Sequence, residues 1–221
     1  MKTKKLLISV LFLSILQFLS AQDKPRYWDD VQAIKSYDKI YAPPTHPIVF
    51  TGSSSIRRWD NLERTFASYG AMNRGLGGAV TNDITAYIDD IIVAYQPRQI
   101  VIYVGENELP NEQATADSIF SRTKRLLTAI REKLPQTPII YISIKPSPSR
   151  EQYIGKAIAA NALIKKYLST QENIKYLDIF SLMLNSEGKS DSTLFLSDML
   201  HMNEKGYSIW KKAIQPLLVK E

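Results

Sequence analysis

The sequence predicts an α/β fold, a three-layer α/β/α sandwich built around a five-stranded parallel sheet. Two observations support this prediction. Strand-like apolar runs alternate with helix-like segments along the chain, which is typical of parallel strands joined by helical crossovers. The runs QIVIYVG and PIIYISI are apolar without alternation, which indicates strands that are covered on both faces.

The chain organisation is simple. A length of 221 residues favours one domain and is enough to bury a substantial core without covalent crosslinks. The chain has no cysteine, which excludes disulfides and thiolate metal sites. With no repeat and no linker-like tract, we expect residues 22–221 to form a single domain.

Residues 1–21 have the pattern of a secretory signal peptide. MKTKK is basic, LLISVLFLSILQFL is an uncharged apolar run of 14 residues, and Ala21 offers a small residue for cleavage. The run is short for a membrane span, which needs about 20 apolar residues. The pattern therefore predicts export to the periplasm or the medium, and an uncleaved anchor stays open as an alternative.

After the predicted signal peptide, the first half of the chain has the pattern of a helix, a strand, a second helix and a second strand. WDDVQAIKSYD predicts a helix over 28–38, ended by the prolines of YAPPTHP. PIVFTG is the first strand, and AMN is a weak second one. SSIRRWDNLERTF between them predicts a helix, because its apolar residues recur at helical spacing. These residues are Ile56, Trp59, Leu62 and Phe66.

The second half continues the alternation. TNDITAYIDDIIVAY predicts a helix with its isoleucines on one side, and QIVIYVG follows as the third strand. A long helix over 113–134 precedes the fourth strand, PIIYISI. A helix over 151–170 leads to a fifth strand in IKYLDIF, and a last helix runs over 204–218.

The loops that follow the strands carry the residues suited to chemistry. They read GSSS, NRGLGG, GENE and KPSPSR in chain order. In an open parallel sheet, ligands bind beyond the carboxyl ends of the strands, so these loops should meet at one edge. They would bring together a candidate nucleophile, flexible backbone donors, a carboxamide and basic side chains.

A serine nucleophile needs a base, and the chain has two histidines, His46 and His201. His201 follows Asp198 by three residues, close enough for the acid to orient the imidazole. His46 precedes the first strand, at the edge opposite the expected site. Alone, each motif has a structural interpretation: a serine after a strand often caps a helix, and a glycine-rich turn is often only a turn.

Other motifs are absent or weak. The glycines fail both GxGxxG and the P-loop pattern, and GSSSI lacks the closing glycine of the α/β-hydrolase elbow. The acidic pairs Asp29-Asp30 and Asp89-Asp90 suggest glycosidase carboxylates, but neighbours on a helix point in different directions. Asp178 follows the fifth strand and is a possible substitute acid.

Taken together, these blocks resemble the SGNH (GDSL-type) hydrolase family over about residues 28–218. The chain is similar to its platelet-activating-factor acetylhydrolase-like or acetylesterase-like branch. The G-D-S block corresponds to GSS ending at Ser54, the second block to NRGLGG ending at Gly78, the third to GENE with Asn107, and D-x-x-H to Asp198 through His201. The resemblance implies a flavodoxin-like fold.

The resemblance also implies a mechanism. Ser54 would be the nucleophile, His201 the general base and Asp198 the acid that orients it. The oxyanion hole would be formed by Ser54, Gly78 and Asn107. The substrates would be short acyl or acetyl esters of carbohydrates or similar metabolites, with neither metal nor organic cofactor required.

Two positions depart from the family pattern. Ser53 stands where the family has an aspartate, and Glu108 stands where the third block ends in aspartate. Neither change removes a catalytic atom, but both affect how the loops are braced. They leave the fine specificity open.

The basic residues give a weaker indication. Lys145 and Arg150, in the loop after the fourth strand, are candidates to meet an anionic or hydroxylated substrate, or merely belong to a proline-stiffened turn. Without residues 1–21 the chain has 25 basic and 22 acidic residues, a net charge of +3. The basic residues are scattered, so no nucleic-acid partner is expected.

Two alternative functions remain open. A lysophospholipase or thioesterase acting on lipids would need a long apolar groove, which a sequence cannot display. A non-catalytic glycan-binding protein on the same scaffold is a different class of function. The complete set of catalytic residue types argues against it.

Overall fold

The computed structural model describes residues 24–220. The predicted signal peptide, residues 1–21, lies outside the described residues. Between residues 24 and 220, no helix has the length and apolar character needed to cross a membrane.

The five predicted strands form one parallel sheet in the order β2-β1-β3-β4-β5. This confirms the predicted α/β fold and its flavodoxin-like order. The direction of strand addition reverses between β1 and β3, which is where ligands bind in such sheets. The strands are β1 (Ile48–Gly52), β2 (Ala71–Gly75), β3 (Gln99–Tyr103), β4 (Ile139–Ile142) and β5 (Ile174–Leu177).

Helices cover both faces of the sheet. Short 3₁₀ segments lie in several connections, including Glu106–Glu108 and Pro148–Tyr153. The α-helices are α1 (Trp28–Ile40), α2 (Ser54–Arg57), α3 (Leu62–Thr65), α4 (Thr81–Ala86), α5 (Ile88–Ile91), α6 (Ala116–Lys133), α7 (Ile154–Leu168) and α8 (Glu204–Ile214).

The apolar residues of the strands belong to two clusters, one on each face of the sheet, because successive side chains of a strand point to opposite faces. In β3, Val101 and Tyr103 pack on the face covered by α2, α3 and α8, while Ile100 and Ile102 pack on the face covered by α4 to α7. The central strands are buried along their whole length. This explains why they read as unbroken apolar runs.

Two predicted helices are interrupted. The segment after β1 forms α2 and α3 with a turn between them, where Asp60 and Asn61 lie. Such side chains compete with helical backbone bonds and favour turns. The segment after β2 is divided into α4, α5 and a 3₁₀ turn, with Tyr87 and Ile92 outside helical geometry. The apolar spacing correctly marks the buried face but not the continuity of the helix.

The length of β2 and the burial of β5 also differ from what the sequence predicts. β2 is a full five-residue strand paired with β1 along its length, although only AMN was expected as a weak strand. β5 is a short strand with partly exposed residues, because it lies at one edge of the sheet that residues 24–220 form. The last helix ends at Ile214, since Pro216 in the following 3₁₀ turn cannot donate a helical hydrogen bond.

Candidate active site

The end of β1 brings its serine loop close to β3. Gly52 has φ +130°, and an added Cβ would lie 1.8 Å from the Tyr103 carbonyl oxygen. Only glycine tolerates this backbone and this approach. The next residue, Ser53, donates its N–H to the same Tyr103 oxygen at 2.9 Å. Ser54 then begins α2 at the carboxyl edge of the sheet.

The three adjacent serines have different environments. Ser53 occupies the N-cap position of α2 but makes no capping hydrogen bond with its side chain. Ser55 is buried. Ser54 is the serine whose hydroxyl reaches a histidine, with Oγ 3.1 Å from His201 Nε2.

Asp198, His201 and Ser54 form a continuous hydrogen-bonded chain. His201 Nδ1 lies 2.6 Å from Asp198 Oδ2, and its other ring nitrogen faces the Ser54 hydroxyl. The His201 side chain is 13% exposed, against 44% for Asp198. One ring nitrogen of His201 therefore contacts an acid, and the other contacts a hydroxyl. This is the geometry of a nucleophile with its general base.

The D-x-x-H turn makes Asp198 a strong acid. Burial by itself raises the pKa of this carboxyl, but hydrogen bonds from the His201 ring and from two backbone N–H groups outweigh burial, so the pKa lies well below its ordinary value. Those N–H groups belong to Leu200 and His201, which donate to Oδ1 at 3.0 and 2.9 Å. The aspartate is therefore ionised at neutral pH and orients the imidazole.

The loop after β2 begins against the end of β1, where the Leu76 N–H donates to the Gly52 carbonyl at 2.8 Å. We call residues 76–80 the glycine loop. Gly78 has φ +77°, which favours glycine. Among residues 24–220 its N–H has no hydrogen-bond partner, so it is free to bind a ligand oxygen.

The third loop braces the glycine loop. Asn107 Nδ2 donates to the Ala79 carbonyl at 2.9 Å, which leaves its second amide hydrogen for another acceptor. Glu108 Oε1 accepts the Thr81 N–H at 2.7 Å. Glu108 is buried, so the residue that departs from the family aspartate supports the start of α4.

Lys145 does not face the open edge, and here the expectation of a substrate contact is corrected. Its side chain is fully buried, and Nζ lies 2.7 Å from each carboxylate oxygen of Glu106. It also donates to Ser147 Oγ and to the Leu200 carbonyl. Burial lowers the pKa of the ammonium, and the Glu106 carboxylate opposes this effect. The partners of the ammonium therefore belong to the protein, and one of them is the loop that carries His201. The ammonium does not face a ligand.

Arg150 is half-buried in the 3₁₀ segment after β4. Its Nε is buried without a hydrogen-bond partner among the described residues. The neighbouring Ser149 N–H donates to the Met199 carbonyl at 3.0 Å, so the segment lies against the D-x-x-H turn. Of the two basic candidates, Arg150 is the one whose guanidinium has unused donors near this turn.

The alternative acid and base residues lie elsewhere. His46 precedes β1, with Nδ1 3.0 Å from the Gln96 carbonyl, at the opposite edge of the sheet. Asp29, Asp89 and Asp90 form exposed or half-exposed pairs with lysines. Asp178 accepts from the backbone and hydroxyl of Ser181, as in a structural turn. None of these residues joins the chain from Asp198 to Ser54.

Sequence reasoning missed three residues of this region. Tyr27 and Arg26, just before α1, donate to carbonyls of the glycine loop, and no motif marks them. Glu106 was visible within GENE, but nothing in the sequence connects it with Lys145, 39 residues away.

The chain matches a known family over most of its length. Residues 45–209 match the GDSL-like Lipase/Acylhydrolase family. Comparison with curated proteins gives no match.

Solved structures share the fold at low sequence identity. A GDSL-like lipase from Bacteroides thetaiotaomicron is 19% identical with a TM-score of 0.73, covering 85% of this chain and 96% of its own. A Streptococcus pneumoniae protein described as a platelet activating factor is 17% identical with a TM-score of 0.75, covering 95% and 99%. A variant of a Geobacillus acetyl-xylooligosaccharide esterase is 12% identical with a TM-score of 0.62, covering 80% and 98%.

These structural similarities support the fold alone, while the family match extends over the strands, the serine loop and the D-x-x-H turn. The chain therefore belongs to the GDSL-like lipase/acylhydrolase family and is an ester hydrolase of the SGNH type.

Proposed function

We propose that this protein is an exported serine esterase that removes acetyl or other short acyl groups from carbohydrates or similar metabolites. The observation that carries the proposal is the hydrogen-bonded chain from Asp198 through His201 to Ser54. It ends on a hydroxyl at the carboxyl edge of the sheet. The glycine loop starts from the same edge, and its Gly78 N–H has no hydrogen-bond partner among residues 24–220.

The reaction proceeds in two acyl-transfer steps. Ser54 Oγ attacks the ester carbonyl while His201 Nε2 accepts its proton, and the protonated imidazole then donates that proton to the departing alcohol. Water next attacks the acyl-enzyme while His201 accepts its proton. The bond between Ser54 Oγ and the acyl carbon then breaks, the imidazolium returns the proton to Ser54 Oγ, and the acid is released. Ionised Asp198 stabilises the imidazolium that forms in each step.

The oxyanion of each tetrahedral intermediate is held by the backbone N–H groups of Ser54 and Gly78 and by the side-chain amide of Asn107. These donors belong to loops after three different strands, β1, β2 and β3. Donors that a folded scaffold holds in advance cost no reorganisation as charge develops, which favours this assignment.

The substrate class is our proposal by analogy with one protein that shares the fold, an acetyl-xylooligosaccharide esterase. Export is supported by the basic, apolar and small-residue pattern of residues 1–21. Arg150 follows Ser149, whose N–H donates to the Met199 carbonyl in the D-x-x-H turn, and it is the candidate to contact a hydroxylated or anionic substrate.

A lipid substrate is the second candidate, because two apolar side chains are exposed next to the catalytic turn. Leu196 is 45% exposed and Met199 40%, and Leu196 donates its N–H to the His201 carbonyl. An acyl chain longer than butyryl would have apolar surface to contact there.

The test is hydrolysis of p-nitrophenyl esters from acetyl to palmitoyl by purified residues 22–221, with Ser54→Ala and His201→Ala alongside. We expect the highest turnover at acetyl or butyryl and loss of activity in both variants. Ser53→Ala is the matched control, because that hydroxyl makes no hydrogen bond among the described residues. A maximum at long chains would favour lipids, and a folded protein inert toward all esters would contradict the proposal.

A further inference from the structure

The segment just before α1 reaches across to the glycine loop. Three consecutive carbonyls of this loop each accept a hydrogen bond from a different side chain. The pairs are Tyr27 Oη to Gly77 O at 2.9 Å, Arg26 Nη2 to Gly78 O at 3.2 Å, and Asn107 Nδ2 to Ala79 O at 2.9 Å.

The Tyr27 contact determines the direction of the Gly78 N–H. The Gly77 carbonyl and the Gly78 N–H belong to the same peptide plane, and in a trans peptide they point in opposite directions. No peptide bond among the described residues is cis. A donor that fixes the Gly77 oxygen on one side therefore fixes the Gly78 hydrogen on the other.

This peptide has little else to restrain it. It joins two glycines, and an added Cβ on Gly77 would meet no atom within 4 Å. Glycine backbone adopts positive and negative φ with similar ease. Without an anchor, the Gly77–Gly78 peptide can rotate and turn its carbonyl toward the position that its N–H occupies now.

Tyr27 is held for this contact. Its backbone is left-handed, with φ 67°, which is uncommon for a residue with a side chain and persists where the surroundings determine it. A tyrosine hydroxyl, with an ordinary pKa of about 10, keeps at neutral pH the proton that it donates to Gly77, and burial raises the pKa of Tyr27 further.

Arg26 anchors the arrangement from the other side. Nη2 donates to the Tyr27 hydroxyl at 3.0 Å as well as to Gly78 O, and Nη1 pairs with Asp83 Oδ2 at 2.9 Å. The same Asp83 oxygen accepts the Val80 N–H at 2.8 Å. The guanidinium thus connects the tyrosine with the middle of the glycine loop and, through Asp83, with its last residue, Val80.

We propose that Tyr27, supported by Arg26, is a positioning residue that orients the Gly78 N–H for the oxyanion hole. The inference rests on the proposed function, because it assumes that Gly78 binds the oxyanion. Tyr27 touches no reacting atom. It acts through the Gly77–Gly78 peptide, so the residues that immediately precede the first helix are part of the active site.

The test compares Tyr27→Phe, which removes only the hydroxyl, with Lys24→Ala as the control. Lys24 belongs to the same segment, but its partner is Asp29 in an exposed pair. With p-nitrophenyl acetate we expect kcat of Tyr27→Phe to fall by about 10-fold or more, since losing one oxyanion donor outright costs about 10²–10³. We expect KM and the melting temperature to change little, and the control to match wild type.

Two readouts separate positioning from simple packing. The affinity for a boronic acid that forms a tetrahedral adduct on Ser54 should fall by a factor similar to that of kcat, because such an adduct needs the oxyanion donors. The Gly78 amide signal should shift or broaden in Tyr27→Phe but not in Lys24→Ala. With nine glycines in the chain, ¹⁵N-glycine labelling keeps the spectrum simple, and Gly78→Ala identifies the signal.

The outcomes distinguish this inference from the proposed function. Wild-type hydrolysis with unchanged kcat and an unchanged Gly78 signal in Tyr27→Phe would overturn the positioning role and leave the esterase intact. If Tyr27→Phe lowered the melting temperature and reduced the hydrolysis of every ester in proportion, the hydroxyl would only contribute to packing. That result would also overturn the positioning role. If the wild type hydrolysed no ester, the proposed function would fail, and an unchanged Gly78 signal would then reject the tyrosine contact independently.

Discussion

Lys145 Nζ lies 2.7 Å from both carboxylate oxygens of Glu106, and the same ammonium donates to the Leu200 carbonyl at 2.9 Å. Leu200 directly precedes His201. Tyr103, at the end of β3, also donates to Glu106, at 2.9 Å. A buried ion pair therefore connects the central strand of the sheet with the turn that carries the catalytic histidine.

Removing one partner of this pair should be costly. We expect Lys145→Met to lower the free energy of unfolding by about 3–5 kcal/mol, because it leaves the Glu106 carboxylate buried without its cation. Lys145→Met combined with Glu106→Leu should recover part of the loss, since both charges are then gone. Urea denaturation followed by circular dichroism measures both.

The control is the exposed pair of Lys189 and Glu187, with side chains 70% and 69% exposed. Lys189→Met should cost no more than about 1 kcal/mol. Equal effects of the two lysine substitutions would mean that the buried pair has no special part in stability.

Asn107→Ala tests the side-chain donor of the oxyanion hole. We expect kcat for p-nitrophenyl acetate to fall by about 10²–10³, equivalent to about 2.7–4 kcal/mol in the barrier. Steady-state kinetics with the exposed Asn111→Ala as control measures the effect. A fall below about 3-fold would remove Asn107 from the oxyanion hole.

Asp198 makes stability depend on pH in a defined direction. Its pKa is lower in the folded protein than the ordinary value of 3.8, so the unfolded chain binds the proton more readily. The carboxylate therefore contributes stability that is complete above about pH 4 to 5 and is lost as pH falls through the folded pKa.

Denaturation of wild type and Asp198→Asn between pH 7 and pH 3 checks this. The stability difference should be constant near neutral pH and shrink toward pH 3. Asp29→Asn, which alters an exposed carboxylate, is the control and should show almost no difference at any pH. A difference that grows on acidification has the wrong sign and would refute the assignment.

Gly52→Ala should destabilise the protein by more than about 3 kcal/mol, because the new Cβ would lie 1.8 Å from the Tyr103 oxygen at φ +130°. Gly155→Ala is the matched substitution: it lies within α7, and its Cβ would meet no atom within 4 Å. It should stabilise by about 0.5–1 kcal/mol. Thermal unfolding compares the two, and similar melting temperatures would contradict the crowding at Gly52.

The sequence was sufficient for the sheet because the information is local. QIVIYVG and PIIYISI are apolar at most of the positions that become buried, with Gln99 and Ser143 as the buried polar exceptions, and these runs became β3 and β4. Helix continuity was harder to predict. Ile56, Trp59, Leu62 and Phe66 all reach the core, yet the helix breaks between them because the polar side chains near Asp60 favour a turn.

The sequence by itself determined the fold class, the loops that meet at the carboxyl edge, and the family. The succession of strands and helices along the chain and short blocks such as D-x-x-H depend on neighbouring residues. Only the tertiary structure decided which side chains contact one another. Lys145 was a candidate substrate contact in a loop at the expected site, and packing buried it on Glu106. Tyr27 belonged to no motif, and packing placed it on Gly77, 50 residues away. Such contacts depend on how the crossovers fold back on the sheet, and no local pattern encodes that geometry.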